Sequence, residues 1–128
     1  MSDAGQTSNA QAVAIRNVEE GFTWQGLLKP KSFFVDEAAT EVHILGALTA
    51  KELVGTIVYD VMKTYEDGAE VELYILDAHV KPKWQRQGVF TGLFNAMTQR
   101  HPGCRVAGHF ADSNVERMAA RFNQTIVL

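Results

Sequence analysis

The apolar and polar residues alternate along the chain between the two-residue period of strands and the longer period of helices. Three segments with strand character follow one another closely, at residues 41–48, 52–65 and 70–80. The second and third are joined at Glu66-Asp67-Gly68, where Asp-Gly readily takes the positive φ that a tight hairpin needs. This pattern predicts a central antiparallel meander.

The third of these strands carries most of the polar side chains that could take part in catalysis. Strict alternation places Glu72 and Tyr74 on one face. It places Asp77 and His79 on the opposite face, unless a β-bulge changes their direction. A mechanism built on the Asp77–His79 pair is therefore less favoured than one built on Glu72.

Shorter elements flank the meander. Residues 12–18 predict a strand, and residues 21–34 predict a helix that Pro30 breaks. The aromatic residues of the broken helix either line a substrate groove or pack the helix against the sheet, and packing is favoured: Phe22, Trp24, Phe33 and Phe34.

The last third of the chain predicts two helices and two strands. Val89, Leu93, Ala96 and Met97 lie at helical spacing and predict an amphipathic helix. A strand at 105–110, a helix capped near Asp112 and a strand at 125–128 follow. The predicted order is β-α-β-β-β-α-β-α-β, which is a mixed α/β fold.

Length and composition set the broad class. The chain has 128 residues, 46% of them hydrophobic and 21% charged, which predicts one domain at residues 11–128 after a disordered leader at 1–10. No apolar run approaches the roughly 20 residues that span a bilayer, and the first residues do not form a secretory signal. The single Cys104 favours a reducing compartment, so we expect a cytoplasmic protein without a membrane partner.

Charge and residue spacing argue against two further classes, nucleic-acid-binding proteins and metalloproteins. The net charge is −3 and the 12 Lys and Arg residues are dispersed, so the sequence shows no basic patch for nucleic acid. His43, His101 and His109 are far apart in sequence, and we expect no metal site. A structural thiol is the better interpretation of Cys104.

The loop between the third meander strand and the following helix carries the clearest chemistry. Lys81, Lys83 and Arg86 precede Gly88, and Gly88 opens a helix. The first turn of a helix has unpaired N–H groups and a positive partial charge, so it can hold a phosphate. On charge and glycine alone, a solvated basic loop that only joins strand to helix is the favoured interpretation.

The spacing of this loop resembles the acyl-CoA signature of the GNAT superfamily. Val80-Lys81-Pro82 is similar to the strand-ending V-x-P, and the run from Gln85 to Phe90 is similar to Q/R-x-x-G-x-G/A. The element order also matches. The resemblance implies a compact, divergent GNAT-like mixed sheet that is C-terminally short, with acetyl-CoA as acyl donor.

The resemblance also implies which residues hold the donor. In this superfamily the loop amides bind the CoA pyrophosphate, and the end of the preceding strand bonds the pantetheine arm. The matching cofactor-binding residues are Ala78, His79, Val80, Gln85, Arg86, Gln87, Gly88, Val89, Phe90, Thr91 and Asn114.

Catalytic roles follow less directly. The position at which family members often carry a basic carboxylate is Tyr74, so Glu72, two residues earlier on the same face, is the predicted general base. A solvent-facing strand glutamate without a catalytic role fits Glu72 equally well. The helix position of the usual acid tyrosine holds Arg121 and Phe122. Tyr74 is then the candidate acid, with Tyr59 as an alternative whose structural role is favoured.

The implied activity is N-acetyl transfer from acetyl-CoA to a primary amine of a small molecule or protein. Phe90, where the signature has Gly or Ala, and the absent helix tyrosine keep open a second reading, a catalytically inactive GNAT-fold binding or regulatory module. A third alternative is an unrelated α/β interaction protein. We also predict a homodimer, because the strand at 125–128 has no following partner; the alternative is a monomer in which this strand lies inside its own sheet.

Overall fold

A computed structural model describes residues 13–37, 41–110 and 112–126. The predicted leader at 1–10 and the last two residues of the predicted strand at 125–128 lie outside these ranges. No helix of the described residues is long and apolar enough to cross a bilayer. The strands are β1 (Ala14–Asn17), β2 (Glu20–Phe22), β3 (Leu28–Pro30), β4 (Val42–Leu48), β5 (Leu53–Lys63), β6 (Glu70–Val80) and β7 (Arg105–Gly108), and the helices are α1 (Val89–Arg100) and α2 (Ser113–Asn123).

Five strands form one mixed sheet in the order β1-β4-β5-β6-β7. The pairs from β1 to β6 are antiparallel, and β7 runs parallel to β6. The predicted meander β4-β5-β6 is therefore confirmed, as is the mixed α/β class. The parallel pair requires a crossover, and α1 provides it.

The predicted helix at 21–34 is wrong. These residues form the β2–β3 hairpin and a short 3₁₀ helix at Lys31–Phe33. The hairpin turn depends on Thr23, whose carbonyl accepts from the Gly26 N–H at 2.8 Å, and on Gly26, whose φ is +81°. A left-handed glycine in the turn and Pro30 at the end of β3 both oppose a continuous helix.

The start of the predicted last strand is also different in the structure. The Thr125 N–H donates to the Phe122 carbonyl at 2.9 Å, and the Ile126 N–H donates to the Asn123 carbonyl at 3.3 Å. These bonds continue the final turn of α2, so residues 125 and 126 form no strand.

A β-bulge in β6 changes the face of the sheet to which the side chains of its second half point. Val58 pairs with Asp77 and Tyr59 pairs with Ile75, so Leu76 is an extra residue. Ile75 belongs to the main core before the bulge, and Val80 belongs to the same core after it.

The sheet lies between two layers. Helix α1 packs on one face through its buried residues, and α2 joins it there through Ala119 and Phe122. The predicted apolar face of α1 is confirmed at Val89, Leu93 and Met97. The β2–β3 hairpin covers the other face, where the buried Phe22 N–H donates to Thr56 Oγ1 at 2.8 Å.

Strands β6 and β7 separate early. They pair only from Glu72 to Ile75 on β6, opposite Arg105 to Gly108 on β7. β6 continues for five more residues to Val80 without β7 beside it. The two strands therefore diverge beyond Ile75, and the gap that this leaves along residues 76–80 of β6 is called the cleft.

Candidate active site

The N-terminus of α1 begins at a glycine with a left-handed backbone. Gly88 is the N-cap of α1 with φ 82°, and no side chain of the described residues caps the helix. A Cβ added at Gly88 would meet nothing within 4 Å. No acidic residue occupies the first turn. The N–H groups of this turn are thus accessible to an anion.

The loop that leads to Gly88 is held by its own glutamines. Gln85 Nε2 donates to the Val80 carbonyl at 3.0 Å, and Gln87 Nε2 donates to the Lys83 carbonyl at 2.9 Å. Arg86 has a positive φ of 63°, which is uncommon for a side chain of this size. These bonds fix the loop before any ligand binds.

Trp84 adds an unpaired donor at the same loop. Its buried indole Nε1 has no hydrogen-bond partner among the described residues. Together with Gln87 and Gly88 it lines a cavity of about 140 Å³. A buried N–H without an acceptor is costly, so this donor fits a site that binds an acceptor group.

The positive charges of the loop are partly neutralised by Glu52. Lys81 Nζ lies 2.8 Å from Glu52 Oε1, and Lys83 Nζ lies 3.7 Å from Glu52 Oε2. The hydrogen bond from Lys81 lowers the pKa of the Glu52 carboxyl. Less positive charge reaches the anion site than the sequence alone predicts, so the backbone N–H groups of α1 carry more of the attraction.

The bulky Phe90 does not obstruct the helix N-terminus. Its ring packs against the main core, with its centroid 6.2 Å from that of Phe94. Thr91 is exposed. Asn114 lies in the first turn of α2, where its Oδ1 accepts from Arg117 at 2.6 Å.

The main chain of β6 presents polar groups along the cleft. The Lys81 N–H donates to the Val54 carbonyl of β5 at 2.8 Å. Main-chain groups alternate in direction along a strand, so the N–H and carbonyl groups of Ala78 and Val80 face away from β5. The Ala78 N–H donates to Asp77 Oδ1 at 2.9 Å. The structure therefore places the predicted residues Ala78, His79 and Val80 beside the opening.

Asp77 and His79 form the chemically most unusual part of the cleft. Burial raises the pKa of the Asp77 carboxyl, although the N–H groups of Ala78 and Trp24 donate to it. Burial lowers the pKa of the His79 imidazole, whose ring lies 5.6 Å from that of Phe22. A carboxylate with a raised pKa and a neutral imidazole are suited to proton transfer near neutral pH.

The bulge at Leu76 brings Asp77 and His79 onto the face of Glu72 and Tyr74. Tyr74 lies opposite Asp60 on β5, and Asp77 lies opposite Val58 on the same face. The expectation from strict alternation, which separated the two pairs, is wrong because it counts no extra residue. A bulge has no clear signal in the residues of β6 itself.

Glu72 and Tyr74 lie farther along this face, where β6 is still paired on both sides. Glu72 is opposite Met62 on β5 and Arg105 on β7. The Tyr74 ring lies 6.1 Å from the His109 ring in an edge-on arrangement. The structure brings these two predicted catalytic residues together, but away from the end of the strand.

Tyr59 lies on the other face, in the main core. Its hydroxyl is 3.0 Å from His101 Nε2, and His101 Nδ1 is 2.9 Å from Glu70 Oε1. Burial raises the pKa of Tyr59 to about 12. The ring of His43 stacks on Tyr59 at 5.4 Å. Tyr59 is thus a structural residue, as the sequence favours.

Sequence reasoning did not predict this aromatic cluster, because its members are far apart in sequence; Tyr59 and His101 alone are separated by 42 residues. Among the residues that the structure describes, no group of three or more His, Cys, Asp or Glu is arranged to hold a metal ion. Cys104 is buried near the cluster, and burial raises the pKa of its thiol.

Comparison with known proteins shows the fold. No family model matches the sequence, and no curated protein matches it. An aminoglycoside acetyltransferase from an uncultured soil metagenomic sample, in complex with sisomicin, is similar with a TM-score of 0.58 and 18% identity, over 89% of this chain and 88% of that chain. A ribosomal-protein-alanine N-acetyltransferase from Brucella melitensis biovar Abortus 2308 is similar with a TM-score of 0.56 and 10% identity, over 91% and 92%.

A third similar structure contains a CoA derivative. AAC(6')-Iy, in complex with the bisubstrate analogue CoA-S-monomethyl-acetylneamine, has a TM-score of 0.53 and 17% identity over 91% of each chain. The chain therefore has the fold of these acetyltransferase structures, and the mixed α/β fold that the sequence resemblance implied is confirmed.

Proposed function

We propose that this protein is an acyl-CoA-dependent N-acetyltransferase that transfers an acetyl group from acetyl-CoA to a primary amine of a small molecule or protein. The observations that carry this proposal are the separation of β6 from β7 beyond Ile75 and the open N-terminus of α1 at Gly88, in the segment that follows β6. Asp77 and His79 lie on the strand that borders the cleft. An elongated anionic thioester and a proton acceptor would thus be next to each other.

The described residues fit acetyl-CoA. The N–H groups at the start of α1 and the unpaired Trp84 Nε1 offer donors for phosphate oxygens. The Ala78 carbonyl and the Val80 N–H, which face away from β5, would bond the amides of the pantetheine arm. When bound, acetyl-CoA supplies an activated acyl group as a thioester. His79, Gln85, Arg86, Gln87, Val89, Phe90, Thr91 and Asn114 complete the proposed cofactor site.

Asp77 is better placed than Glu72 to act as the general base. Glu72 lies five residues earlier on β6, roughly 15 Å away along an extended strand, where β7 still closes the sheet. Asp77 is half-buried at the opening, and its raised pKa makes it a stronger base than an ordinary aspartate. In the proposed reaction Asp77 takes a proton from the ammonium group. The amine nitrogen then bonds the acyl carbon as the C–S bond breaks. Tyr74 is the candidate relay that would pass the second N–H proton of the amine to the departing thiolate, so that the amide and the free thiol of CoA result and Tyr74 ends protonated.

One observation favours the alternative, a catalytically inactive binding module. The helix position that would supply the usual acid tyrosine is Phe122, whose ring packs on Phe94 at 5.8 Å. Phe122 therefore packs in the core and cannot donate a proton. A protein that binds acetyl-CoA without transferring the acetyl group to any amine would support this alternative.

Binding of acetyl-CoA, measured by calorimetry, tests the proposal. Gly88→Glu adds bulk and negative charge where the pyrophosphate would bind, so we expect the affinity to fall at least about tenfold, or about 1.4 kcal/mol. Gly68→Glu is the matched control, because Gly68 has a positive φ of 69° and open space around it but lies in the β5–β6 turn. Equal affinities for the two variants, or no binding by the unmodified protein, would contradict the proposal.

A further inference from the structure

The turn between β2 and β3 places a large aromatic side chain next to Asp77. The main-chain N–H of Trp24 donates to the Asp77 carboxylate, whereas the Trp24 side chain is 70% exposed. Leu27, at the same turn, is 52% exposed. An apolar surface therefore lies within side-chain reach of the proposed base.

This surface is held rigidly. Thr23 and Leu27 are joined by a main-chain bond of 2.8 Å, and Thr23 Oγ1 accepts from the N–H groups of Gln25 and Leu27 at 3.3 Å. His79 packs beneath the turn, with Nε2 3.3 Å from the position of a Cβ added at Gly26. A turn fixed in this way keeps Trp24 and Leu27 exposed, where they can bind an apolar group.

The turn carries no charge. Residues 21–28, all of which the structure describes, contain only glycine, aromatic, aliphatic, threonine and glutamine side chains. Asp77 thus lies beside an uncharged, apolar wall, and the next carboxylate on this face of β6 is Glu72, five residues earlier in the strand. A polycation needs several carboxylates for its other charges, whereas one carboxylate and an indole match an ammonium group on an apolar body.

We infer that the acceptor is a primary amine with a single positive charge on an aromatic or aliphatic body, and that Trp24 binds this body next to Asp77. The inference rests on the proposed function, because it assigns the substrate class of that same site. Trp24 is then a specificity-determining residue, and the β2–β3 turn selects the acceptor.

Calorimetry with two probe amines tests the inference without requiring acetyl transfer. We expect phenethylamine, an aromatic monoamine, to bind at least tenfold more tightly than spermidine, an aliphatic polyamine, with or without CoA present. Trp24→Ala keeps the main-chain N–H to Asp77 and removes only the indole. It should weaken phenethylamine binding about five- to tenfold, as expected for loss of an aromatic contact.

Phe33→Ala is the matched control, because Phe33 is 57% exposed but lies in the 3₁₀ helix, beyond the turn. It should leave phenethylamine binding unchanged. A second readout uses the Trp84→Phe variant, in which Trp24 is the remaining tryptophan of the two. Its fluorescence should change saturably with phenethylamine.

Several results would overturn the inference: no phenethylamine binding, tighter binding of spermidine, or a Trp24→Ala variant that binds like the unmodified protein. These outcomes are separable from failure of the proposed function. If acetyl-CoA binds and its acetyl group is transferred only to spermidine, the function holds and the inference fails. If phenethylamine binds at Trp24 but acetyl-CoA does not bind, the amine site stands without the proposed activity.

Discussion

At the scale of the residue, Asp77 combines burial with two main-chain hydrogen bonds. The N–H groups of Ala78 and Trp24 favour the ionised carboxylate, but burial outweighs them and raises its pKa. A carboxylate held in such surroundings is reactive toward a proton and unfavourable for folding. We therefore expect activity and stability to respond in opposite directions when Asp77 is changed.

Asp77→Asn and Glu72→Gln distinguish the two candidate bases. Loss of a general base costs about 10² to 10⁴ in rate, so Asp77→Asn should lose that much turnover of acetyl-CoA and a primary amine. Glu72→Gln should retain most of the turnover. The reverse pattern would assign the base to Glu72, and full activity in both variants would leave the deprotonation to solvent.

The stability of Asp77→Asn supplies a second measurement. Because the pKa of Asp77 is higher in the folded chain than its ordinary value of 3.8, the folded state binds more protons between these two pKa values. The free energy of unfolding therefore falls as pH rises through this range, and the cost is complete once the pH exceeds the folded-state pKa. We expect Asp77→Asn to melt at a higher temperature than the unmodified protein at pH 7, and the difference to shrink at pH 3. A lower melting temperature at pH 7 would show that the ionised carboxylate stabilises the fold.

At the scale of the element, the local pattern predicts strands and helices well but not their irregularities. The apolar residues of α1 identify its buried face, because a helix repeats its contacts every three to four residues. The bulge at Leu76 depends on how β5 and β6 register against each other, which β6 does not encode alone. This one residue decides the face of Asp77, so the candidate base could not be assigned from the sequence.

The first predicted helix failed for a related reason. Its apolar spacing fits either a helix or a hairpin that covers a sheet. Gly26 and Pro30 favour the hairpin. The hydrogen bond from the Phe22 main-chain N–H to Thr56 Oγ1 attaches the hairpin to β5. Such a long-range contact overrides local propensity.

Asn123 closes part of the outer edge of β7 with its side chain. Its Oδ1 accepts from the Val106 N–H at 2.8 Å, and its Nδ2 donates to the Val106 carbonyl at 2.9 Å. The amide thus satisfies both main-chain groups that a neighbouring strand would otherwise pair with. This arrangement protects an edge that would be prone to pair with other chains.

We expect Asn123→Ala to lower the free energy of unfolding by about 1–3 kcal/mol, because it leaves two partly buried main-chain groups unpaired. Asn123→Asp keeps an acceptor for the Val106 N–H but loses the donor, so its loss should be intermediate. Gln124→Ala, at the exposed next position, is the control and should change little. Chemical denaturation measures all three, and equal stability of Asn123→Ala and Gln124→Ala would contradict the role of Asn123.

At the scale of the whole molecule, the fold follows from the order of its elements. A meander, a crossover helix and a further strand allow few arrangements, because parallel connections need a long crossover and α1 supplies it. The cleft could be predicted only through the resemblance of the loop at Gly88 to the acyl-CoA signature. The separation of β6 from β7 is a property of the sheet as a whole, and no single residue indicates it.

The homodimer remains a prediction about the whole molecule. Within the described residues, β1 is an edge strand of the sheet, and β7 is the other edge. The Asn123 side chain bonds the main chain of Val106 on β7, and the N–H groups of residues 125 and 126 bond carbonyls in the last turn of α2. Pairing between two subunits would therefore use β1 or the residues that follow Ile126, and a two-fold arrangement is the commonest way to close such edges.

Light scattering on the intact protein tests this prediction at micromolar concentration. We expect a mass of twice the 14.2 kDa chain, because an unpaired strand edge leaves N–H and C=O groups that a second subunit can bond. A variant lacking residues 126–128 identifies the edge. It should become a monomer if the C-terminal segment forms the interface and should remain a dimer if β1 does. A monomeric mass for the intact protein would contradict the dimer and would leave the β1 edge to be paired by solvent alone.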